Sequence, residues 1–361
     1  MKNKKMLRNT VGIILIFSLF IFGITNCKKK EAEVIKIGAI LPLTGPAASF
    51  GTAMKNGILL AQEKLKKEGI NLEIIIEDGQ GDPKSSLMAF RKLLTYNTKI
   101  FIASVSGVCL SLLPVAQKER VLLFAEAAHP QITGSSPLIF RHSNTVSLEA
   151  EILGNWLIEN KKVKKVFILW INDDFGFSMK NELTKILNQF NLKDESYEKT
   201  QIDFKNIAIQ IGAFNPDAVI IVGYGKSLGL AIKTLREMNY KGEILTNLGV
   251  KITPDAVIAA GEAIHGIYYI DFNFDYRDEE YIKFMKEYKQ KFGEEPPAWS
   301  VLEYNTVILL GKAVKKVGSD PEKILNYIKS IGSFKGAGEI ITITPQNDLL
   351  PSLTLKKWER N

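Results

Sequence analysis

The sequence predicts an α/β protein with two doubly wound, parallel-sheet domains, and three observations lead to this fold class. Short apolar segments alternate with helical patterns along residues 34–272, as in parallel strands joined by right-handed helical crossovers. This rhythm occurs twice, over residues 34–141 and 166–272, and it provides too many strands for a single sheet of ordinary size. The length of 361 residues also accommodates two domains.

The first unit begins with a buried-type strand, VIKIGAIL at residues 34–41. A helix follows over residues 49–68, whose apolar positions recur at helical spacing. Pro83 suits the first turn of the next helix, because its fixed φ and missing N–H are tolerated there. The same reasoning predicts strands at residues 72–78, 100–103, 121–124 and 138–141, and helices at residues 83–95 and 109–119.

The second unit starts with a helix over residues 147–160, for which Ser147 is the predicted cap. Strands are expected at residues 166–170, 195–201, 218–222, 243–246 and 266–272, and helices at residues 177–187, 205–214, 227–238 and 254–260. Three further helices over residues 279–331 and a strand or hairpin at residues 336–344 complete the chain. Because the first domain has room for these helices, the chain is expected to cross between the domains more than once.

Residues 1–26 have the layout of a secretory signal: a basic start, an apolar run over residues 11–24 and a polar junction before Cys27. The run is about 14 residues long, whereas a membrane-spanning helix needs about 20. We expect a bacterial lipoprotein signal, with a lipidated Cys27 and a tether over residues 27–33. A plain secretory signal or an uncleaved anchor is the alternative. Loss of residues 1–26 removes four basic residues and lowers the net charge from +8 to +4.

The composition argues against several other classes of function. No long Lys/Arg stripe with interleaved aromatic residues is present, so nucleic-acid binding is not expected. His129, His142 and His265 lack zinc-ligand spacing, and lipidation of Cys27 leaves Cys109 as a lone thiol on an apolar helix face. No G-x-G-x-x-G follows the first strand, and no G-x-S-x-G elbow is present. We therefore expect no metal, no cofactor and no catalytic centre.

Two loops of small residues, at residues 104–107 and 125–130, follow neighbouring strands of the first unit. The carboxyl ends of parallel strands meet at one edge of the sheet, where α/β proteins bind ligands. Small residues let a ligand approach the backbone, and a helix N-terminus offers free N–H groups to an anion. These loops are therefore the first candidate for a binding site, although many α/β proteins have such loops and bind nothing there.

Six segments, in order and covering nearly all of residues 34–350, resemble the type I periplasmic solute-binding proteins. The resemblance is to the leucine/isoleucine/valine-binding group of ABC importers. The segments are IKIGAILPLTGPAASFG (35–51), EDGQGDP (77–83), SVSGVCLSLLPVAQKERVLLFAEAA (104–128), NDDFGFS (172–178), IIVGYG (220–225) and FKGAGEIITITPQND (334–348).

The resemblance implies two α/β lobes joined by three crossing strands, with the ligand in the cleft between them. Residues 34–145 plus 275–335 are expected to form lobe 1, and residues 146–274 plus 336–361 lobe 2. In amino-acid-binding members of the family, a Ser hydroxyl and loop N–H groups hold the ligand carboxylate. By position these are Ser106 and residues 127–129, and Tyr224 of lobe 2 is expected to pack on the ligand and hydrogen-bond it.

The chain departs from the amino-acid-binding pattern at several positions. Leu248 stands where relatives have the Glu that holds the ligand ammonium, and Val146 stands where they have an Asp. Phe50 and Phe175 replace two tyrosines, His129 replaces a Thr, and Gly81 and Val105 occupy the places of a disulfide. A buried ammonium without a counter-charge costs several kcal/mol. An amino acid would therefore need another acid, and Glu126 is one candidate, although a solvent-facing Glu126 is slightly favoured.

The resemblance thus implies a lipid-anchored, extracytoplasmic solute-binding protein rather than an enzyme. It would capture an amino acid or an apolar or aromatic carboxylate for an ABC permease in the membrane. A ligand sensor that signals through a membrane partner is the alternative. The expected ligand-binding residues are Phe50, Ser106, Gly107, Glu126, Ala127, Ala128, His129, Phe175, Tyr224 and Leu248.

Overall fold

The computed structural model describes residues 34–134, 136–160 and 162–360. The predicted signal, Cys27 and the tether lie outside these residues. The described residues from Ile35 onward form one compact unit. The strands are β1 (Ile35–Leu41), β2 (Leu72–Asp78), β3 (Ile100–Ser104), β4 (Leu122–Glu126), β5 (Ile139–Arg141), β6 (Lys165–Ile171), β7 (Asn191–Tyr197), β8 (Ala218–Val222), β9 (Glu243–Thr246), β10 (Tyr268–Phe272), β11 (Ser333–Lys335), β12 (Ile340–Ile343), β13 (Leu349–Leu350) and β14 (Leu353–Lys357).

The helices alternate with these strands until β10 and then form a block of three. They are α1 (Ala48–Lys67), α2 (Pro83–Leu94), α3 (Ser106–Glu119), α4 (Val146–Glu159), α5 (Asp174–Ile186), α6 (Lys205–Phe214), α7 (Gly225–Glu237), α8 (Gly249–Ile252), α9 (Pro254–Ala260), α10 (Glu279–Phe292), α11 (Ala298–Val317) and α12 (Pro321–Ile331). Within the described part of the chain, no helix is both long enough and apolar enough to span a membrane.

The strands form two large sheets and one small one. The first sheet has the order β2-β1-β3-β4-β5 and is parallel throughout. The second has the order β14-β10-β9-β8-β6-β7, in which only β14 is antiparallel. This confirms the predicted α/β class with two doubly wound sheets. The central strands are almost completely buried, which matches their continuous apolar sequences.

The block of three helices packs beside the first sheet. Helix α11 crosses α1 so closely that a Cβ added at Gly57 would lie 2.2 Å from the Ser300 carbonyl oxygen. Glycine is therefore required at this crossing, because any side chain would push the two helices apart. This contact fixes the N-terminus of α11, where Trp299 lies, beside the first sheet.

Residues 336–350 lie with the first sheet rather than with the second, where we had expected them. Strands β12 and β13 pair with β11 in the small sheet. The Arg141 side chain at the end of β5 donates to the Asp348 carboxylate at 2.8 Å, and the Asn347 side chain donates to the Pro137 carbonyl. Only β14, which the sequence analysis did not predict, joins the second sheet. We therefore propose that the last crossing between the lobes follows Leu350.

Two local predictions also need correction. Helix α3 begins at Ser106, three residues earlier than expected, because the small residues 106–108 continue the helix instead of forming a loop. Helix α4 is capped by Thr145 rather than Ser147, since the Thr145 hydroxyl accepts the Leu148 N–H at 3.1 Å.

Candidate ligand-binding site

A pocket lies where the carboxyl ends of the strands of both large sheets face each other. Its empty volume is about 590 Å³, including the space at its open mouth. Its lining residues are Ala47, Phe50, Val105, Ser106, Glu126, Ala127, Ala128, Ser143, Asn144, Glu149, Phe175, Tyr224, Asn247, Leu248, Gly249, Ile252, Thr253 and Trp299. None of these carries a basic side chain, and two carry carboxyl groups.

The two sides of the pocket touch at its rim. A Cβ added at Gly107 would lie 2.5 Å from the Asp174 carboxylate, and one added at Gly225 would lie 2.9 Å from the Pro46 carbonyl. Gly107 and Pro46 belong to the first-sheet side, and Asp174 and Gly225 to the second. The structure therefore has a closed arrangement, in which small residues allow close approach across the cleft.

The turn between β3 and α3 has an unusual backbone. Val105, the residue before the helix, has φ 75°, a conformation that a β-branched residue adopts only with strain of about 1–3 kcal/mol. Its N–H donates to the Glu126 carbonyl at 3.2 Å, which ties this turn to the end of β4. The turn places Ser106, buried at the first position of α3, on the pocket wall. Free N–H groups at this helix start favour a ligand anion.

Glu126 is the last residue of β4, and its carboxyl group is buried. The residue is 2% exposed, so the slightly favoured solvent-facing expectation is wrong. The backbone of Glu126 continues the strand, and its register opposite Ser104 turns the side chain into the protein. Neither carboxyl oxygen has a hydrogen-bond partner among the described residues. A buried, unpaired carboxylate is costly, which favours the neutral acid.

The surroundings of Glu126 strengthen this preference. Burial raises the pKa of Glu126 well above its ordinary value, and the nearby acids Glu303 and Glu339 raise it further. The nearby Thr306 hydroxyl opposes this shift in the pKa but does not outweigh it. Burial also raises the pKa of Glu303 to about 8. His142 Nδ1 lies 3.6 Å from Glu126 Oε1, but burial lowers the pKa of His142 to about 3. His142 is therefore a neutral neighbour near neutral pH and does not balance a negative charge.

The second-sheet side carries polar groups that are already paired with one another. The Tyr224 hydroxyl donates to Asp173 Oδ2 at 2.8 Å, and Asp173 Oδ1 accepts the Gly176 N–H at 2.8 Å. Asn247 Oδ1 accepts the Gly223 N–H at 2.8 Å. These bonds fix the loops after β6, β8 and β9. The Tyr224 hydroxyl is thus occupied as a donor, which differs from its expected role towards the ligand.

Glu149, on α4, is a second buried acid of the pocket. Its Oε2 accepts the Leu248 N–H at 2.7 Å, and its Oε1 accepts a hydrogen bond from the Asn144 amide. Burial raises the pKa of Glu149 to about 7, although both hydrogen bonds oppose the shift. From the resemblance, Leu248 was expected at the position where amino-acid-binding relatives carry an acid. In this chain the Leu248 backbone instead holds a carboxyl group that comes from another helix.

Aromatic and aliphatic side chains complete the walls. Phe50 and Trp299 meet edge to face, with ring centroids 5.2 Å apart, and Phe175 lies beside Tyr224. The Trp299 indole Nε1 is buried and has no hydrogen-bond partner among the described residues. An indole N–H is a donor only. Trp299 therefore offers the pocket an unused donor beside apolar surface.

The structure brings eight of the ten predicted site residues together around the pocket. Gly107 and His129 do not line it. Gly107 contacts Asp174 at the rim, and His129 caps a one-turn 3₁₀ helix, where its Nδ1 accepts the Gln131 N–H. The backbone carbonyl of His129 also accepts a hydrogen bond from Arg141. His129 thus stabilises the loop that carries Ala127 and Ala128.

Glu149 and Trp299 line the pocket but were not expected from the sequence. A signal for Glu149 exists, because it stands within the buried stripe of α4 that Val146, Ala150 and Leu153 define. An acid at such a position has to find buried partners. Trp299 gives no comparable signal, since a tryptophan at a helix start is typical of an ordinary core. Within the described residues, no group of three or more His, Cys, Asp or Glu side chains could hold a metal ion.

Comparison with known proteins identifies the family of the chain. A family model described as periplasmic binding protein matches residues 34–351. Leu/Ile/Val-binding protein homolog 1 of Brucella abortus (strain 2308) is 26% identical over 342 residues, which is 91% of each chain.

Solved structures agree with the fold. A leucine binding protein from Thermotoga maritima MSB8 superposes with a TM-score of 0.83 at 24% identity, covering 90% of this chain and 96% of that one. An ABC transporter solute binding protein from R. palustris, in complex with benzoate, superposes with a TM-score of 0.80 at 20% identity, covering 91% of this chain and 94% of that one. At these identities the two structures establish the architecture alone.

Proposed function

Because the chain belongs to the periplasmic binding protein family, whose members bind solutes and are not enzymes, we propose that it captures a small carboxylate for an ABC importer. The ligand is an apolar amino acid or an aromatic or aliphatic carboxylate. The observation that carries this proposal is the pocket at the facing ends of the two sheets. It combines apolar walls with the start of α3 and two buried acids.

The carboxylate end of the ligand is assigned to the first-sheet side. Ser106 and the N–H groups at the start of α3 lie there, next to the small residues Ala127 and Ala128. Such donors bind an anion without a basic side chain. The relative named for leucine, isoleucine and valine and the neighbour with bound benzoate both fit a carboxylate ligand.

Glu149 decides between the two ligand types. An ionised Glu149 supplies the counter-charge for an ammonium group that Leu248 and Val146 lack, which favours an apolar amino acid. Because its pKa is near neutrality, a neutral Glu149 also suits a ligand without an amino group. The apolar walls formed by Phe50, Phe175 and Trp299 then favour an aromatic carboxylate.

Ligand capture is assigned to a hinge motion between the two lobes. The chain passes from the first sheet to the second after β5, returns after β10 and passes again before β14. These three crossings are the proposed hinge. The contacts of Gly107 with Asp174 and of Gly225 with Pro46 would form on closure and exclude water from the ligand.

A thermal-shift and calorimetric screen of the purified protein tests the ligand class. Ligand bound at about 100 times its Kd stabilises the native state by about 2.7 kcal/mol. We expect L-leucine, L-isoleucine or benzoate to raise the melting temperature. No shift with any amino acid or with aliphatic and aromatic carboxylates would contradict the proposal.

The variant Glu149→Gln separates the two ligand types. If an ammonium group binds Glu149, the variant loses at least about tenfold in affinity for L-leucine, since a buried charge pair has lost one partner. Benzoate affinity should change much less. Glu151→Gln, an exposed position on the same helix, is the matched control. Equal losses for both ligands would argue that Glu149 only supports the loop at Leu248.

The location and the anchor are also part of the proposal. The family supports a place outside the cytoplasm, and the sequence around Cys27 supports a lipid anchor that holds the protein near a permease. Cys27→Ser should release the protein from the membrane fraction into the soluble fraction. A variant that still fractionates with membranes would count against lipidation.

A sensor that passes the ligand signal to a membrane partner remains the second candidate, because it would use the same pocket and closure. Ligand uptake by cells that carry the protein distinguishes the two. Deletion should abolish uptake of the bound ligand if the protein serves an importer, and should leave uptake unchanged if it serves only a sensor.

A further inference from the structure

Two buried polar groups on residues that line the pocket have no hydrogen bond of good geometry within the described part of the protein. They are the Glu126 carboxyl group, which is fully buried, and the indole N–H of Trp299. On the second-sheet side, by contrast, the side chains of Glu149, Tyr224, Asn247 and Thr253 are hydrogen-bonded to the protein. Buried polar groups are almost always paired. The two unpaired groups therefore point to an interaction with the ligand.

The charges around Glu126 decide which form of the acid is present. Glu303 on α11 and Glu339 before β12 are acidic neighbours, and Glu149 is the second acid of the pocket. Cys109 on α3 is a buried, neutral thiol. His142, after β5, has its Nδ1 occupied by the Thr306 hydroxyl. No Lys or Arg from the described residues forms an ion pair with Glu126, whereas Arg141, one residue before His142, is paired with Asp348.

From this geometry we propose that Glu126 binds the ligand as a neutral carboxylic acid. Its O–H donates to an acceptor oxygen of the ligand, and the Trp299 N–H donates to another. This inference rests on the proposed function and makes it more specific: the captured group is an anionic acceptor, and its capture requires a proton on Glu126.

The proton stays on Glu126, and the ligand stays anionic, so that one charge-assisted hydrogen bond forms without proton transfer. When Glu126 ionises, its donor is lost and two negative charges face each other. Binding is therefore strongest at low pH and weakens as pH rises. Once the pH exceeds the pKa of Glu126 in the free protein, affinity falls by up to about tenfold per pH unit.

Calorimetric titration of the purified protein with benzoate and with L-leucine, from about pH 5 to about pH 9, tests this coupling. We expect wild-type affinity for benzoate to fall as pH rises. Glu126→Gln should bind benzoate more weakly than wild type at low pH, because an amide is a weaker donor. Its affinity should fall less steeply with pH, because Glu149 is then the acid of the pocket that still ionises in this range. Glu126→Leu should bind more weakly than Glu126→Gln throughout.

Two further variants sharpen the test. Glu303→Gln removes a neighbouring acid, so Glu126 should ionise more easily and the fall in affinity should move to lower pH. Trp299→Phe should lower affinity at every pH without moving the profile. Glu287→Gln, far from the pocket on α10, serves as the control that leaves both unchanged.

Several outcomes would overturn the proposal while leaving the proposed function intact. If a probe binds equally well across this pH range, Glu126 takes no part in binding. If a probe binds better as pH rises and Glu126→Gln no longer binds it, Glu126 binds the ligand in its ionised form. If neither probe binds, infrared spectroscopy of the ligand-free protein decides. A neutral Glu126 gives a protonated-carboxyl band at neutral pH that Glu126→Gln reduces. The absence of such a band, or a band that this variant leaves unchanged, would contradict a neutral Glu126.

Discussion

The two sides of the pocket use their polar groups in opposite ways. On the second-sheet side, Tyr224 is paired with Asp173, and Glu149 with Leu248. On the first-sheet side, the Glu126 carboxyl group and the Trp299 indole N–H have no hydrogen bond of good geometry to any residue that the structure describes. A paired surface is rigid before the ligand arrives, whereas unpaired groups gain their hydrogen bonds only from the ligand. We infer that the second side supplies shape and the first side supplies polar recognition.

The largest effect is expected where the paired side is most tightly packed. A Cβ added at Gly249 would lie 1.8 Å from the Gly223 backbone oxygen. Gly249→Ala should therefore lower the free energy of unfolding by about 3 kcal/mol or more, since two backbone segments have to separate. Chemical denaturation measures this.

The matched substitution is Gly212→Ala in α6, where an added Cβ meets nothing within 4 Å. It should stabilise the protein by about 0.5–1 kcal/mol, because alanine is the better helix former. Equal effects of the two substitutions would show that the paired side is not rigid.

The next effect concerns the pH dependence of stability. Folding raises the pKa of Glu303 from 4.5 to about 8, so the folded state holds a proton that the unfolded state loses within this window. Stability is therefore complete below about pH 4.5 and falls as pH rises through pH 8. Below pH 6.5 the lowered pKa of His142 makes stability rise with pH, because the unfolded state then binds the proton that folded His142 lacks. The range pH 6.5–8 therefore shows the contribution of the buried acids to the free energy of unfolding.

Over that window Glu303 alone should cost about 2 kcal/mol of unfolding free energy. Glu303→Gln should flatten the dependence, as measured by denaturation at a series of pH values. Glu126, whose pKa is raised well above its ordinary value, and Glu149 and Glu339, with pKa values raised to about 7, leave a smaller residual slope. A variant whose stability still falls as steeply as that of wild type would remove Glu303 as the source.

A moderate effect is expected at Ser106, on the unpaired side. Ser106→Ala should lower the affinity for a carboxylate probe by about tenfold, which corresponds to one hydrogen bond to a charged acceptor. The melting temperature of the ligand-free protein should hardly change. Calorimetric titration with benzoate or L-leucine measures the loss, and an unchanged affinity would remove Ser106 from the site.

The smallest effect is expected at Tyr224, on the paired side. Because its hydroxyl already donates to Asp173, Tyr224→Phe should change ligand affinity by less than about threefold and lower stability by about 1 kcal/mol. The same titration applies. A loss as large as that of Ser106→Ala would mean that the hydroxyl turns to the ligand, and the contrast between the two sides would fail.

The fold was largely predictable from the sequence, because periodic apolar patterns report local structure. Strands β2, β8 and β9 begin and end where expected. Strand β14 was missed, since its sequence, LTLKK, is short and mixed in polarity, and its pairing partner β10 lies far away in the chain. Local pattern carries no record of such a long-range pairing.

The site was predictable in part, for the same reason. Loop residues such as Ser106 and Ala127 follow from the strand ends that carry them. The bond between Glu149 and the Leu248 N–H spans 99 residues, and no spacing rule indicates it. Ala128 lines the pocket, whereas the next residue, His129, caps a turn. The direction of the backbone at these two positions decides between the two roles, and the sequence does not indicate that direction.

The position of β14 also bears on how the molecule is made. Strand β10 has an open edge until Leu353–Lys357 pair with it. Helix α1 likewise has an uncovered face until α11 packs against it. Neither half of the protein can therefore complete its core from an N-terminal fragment.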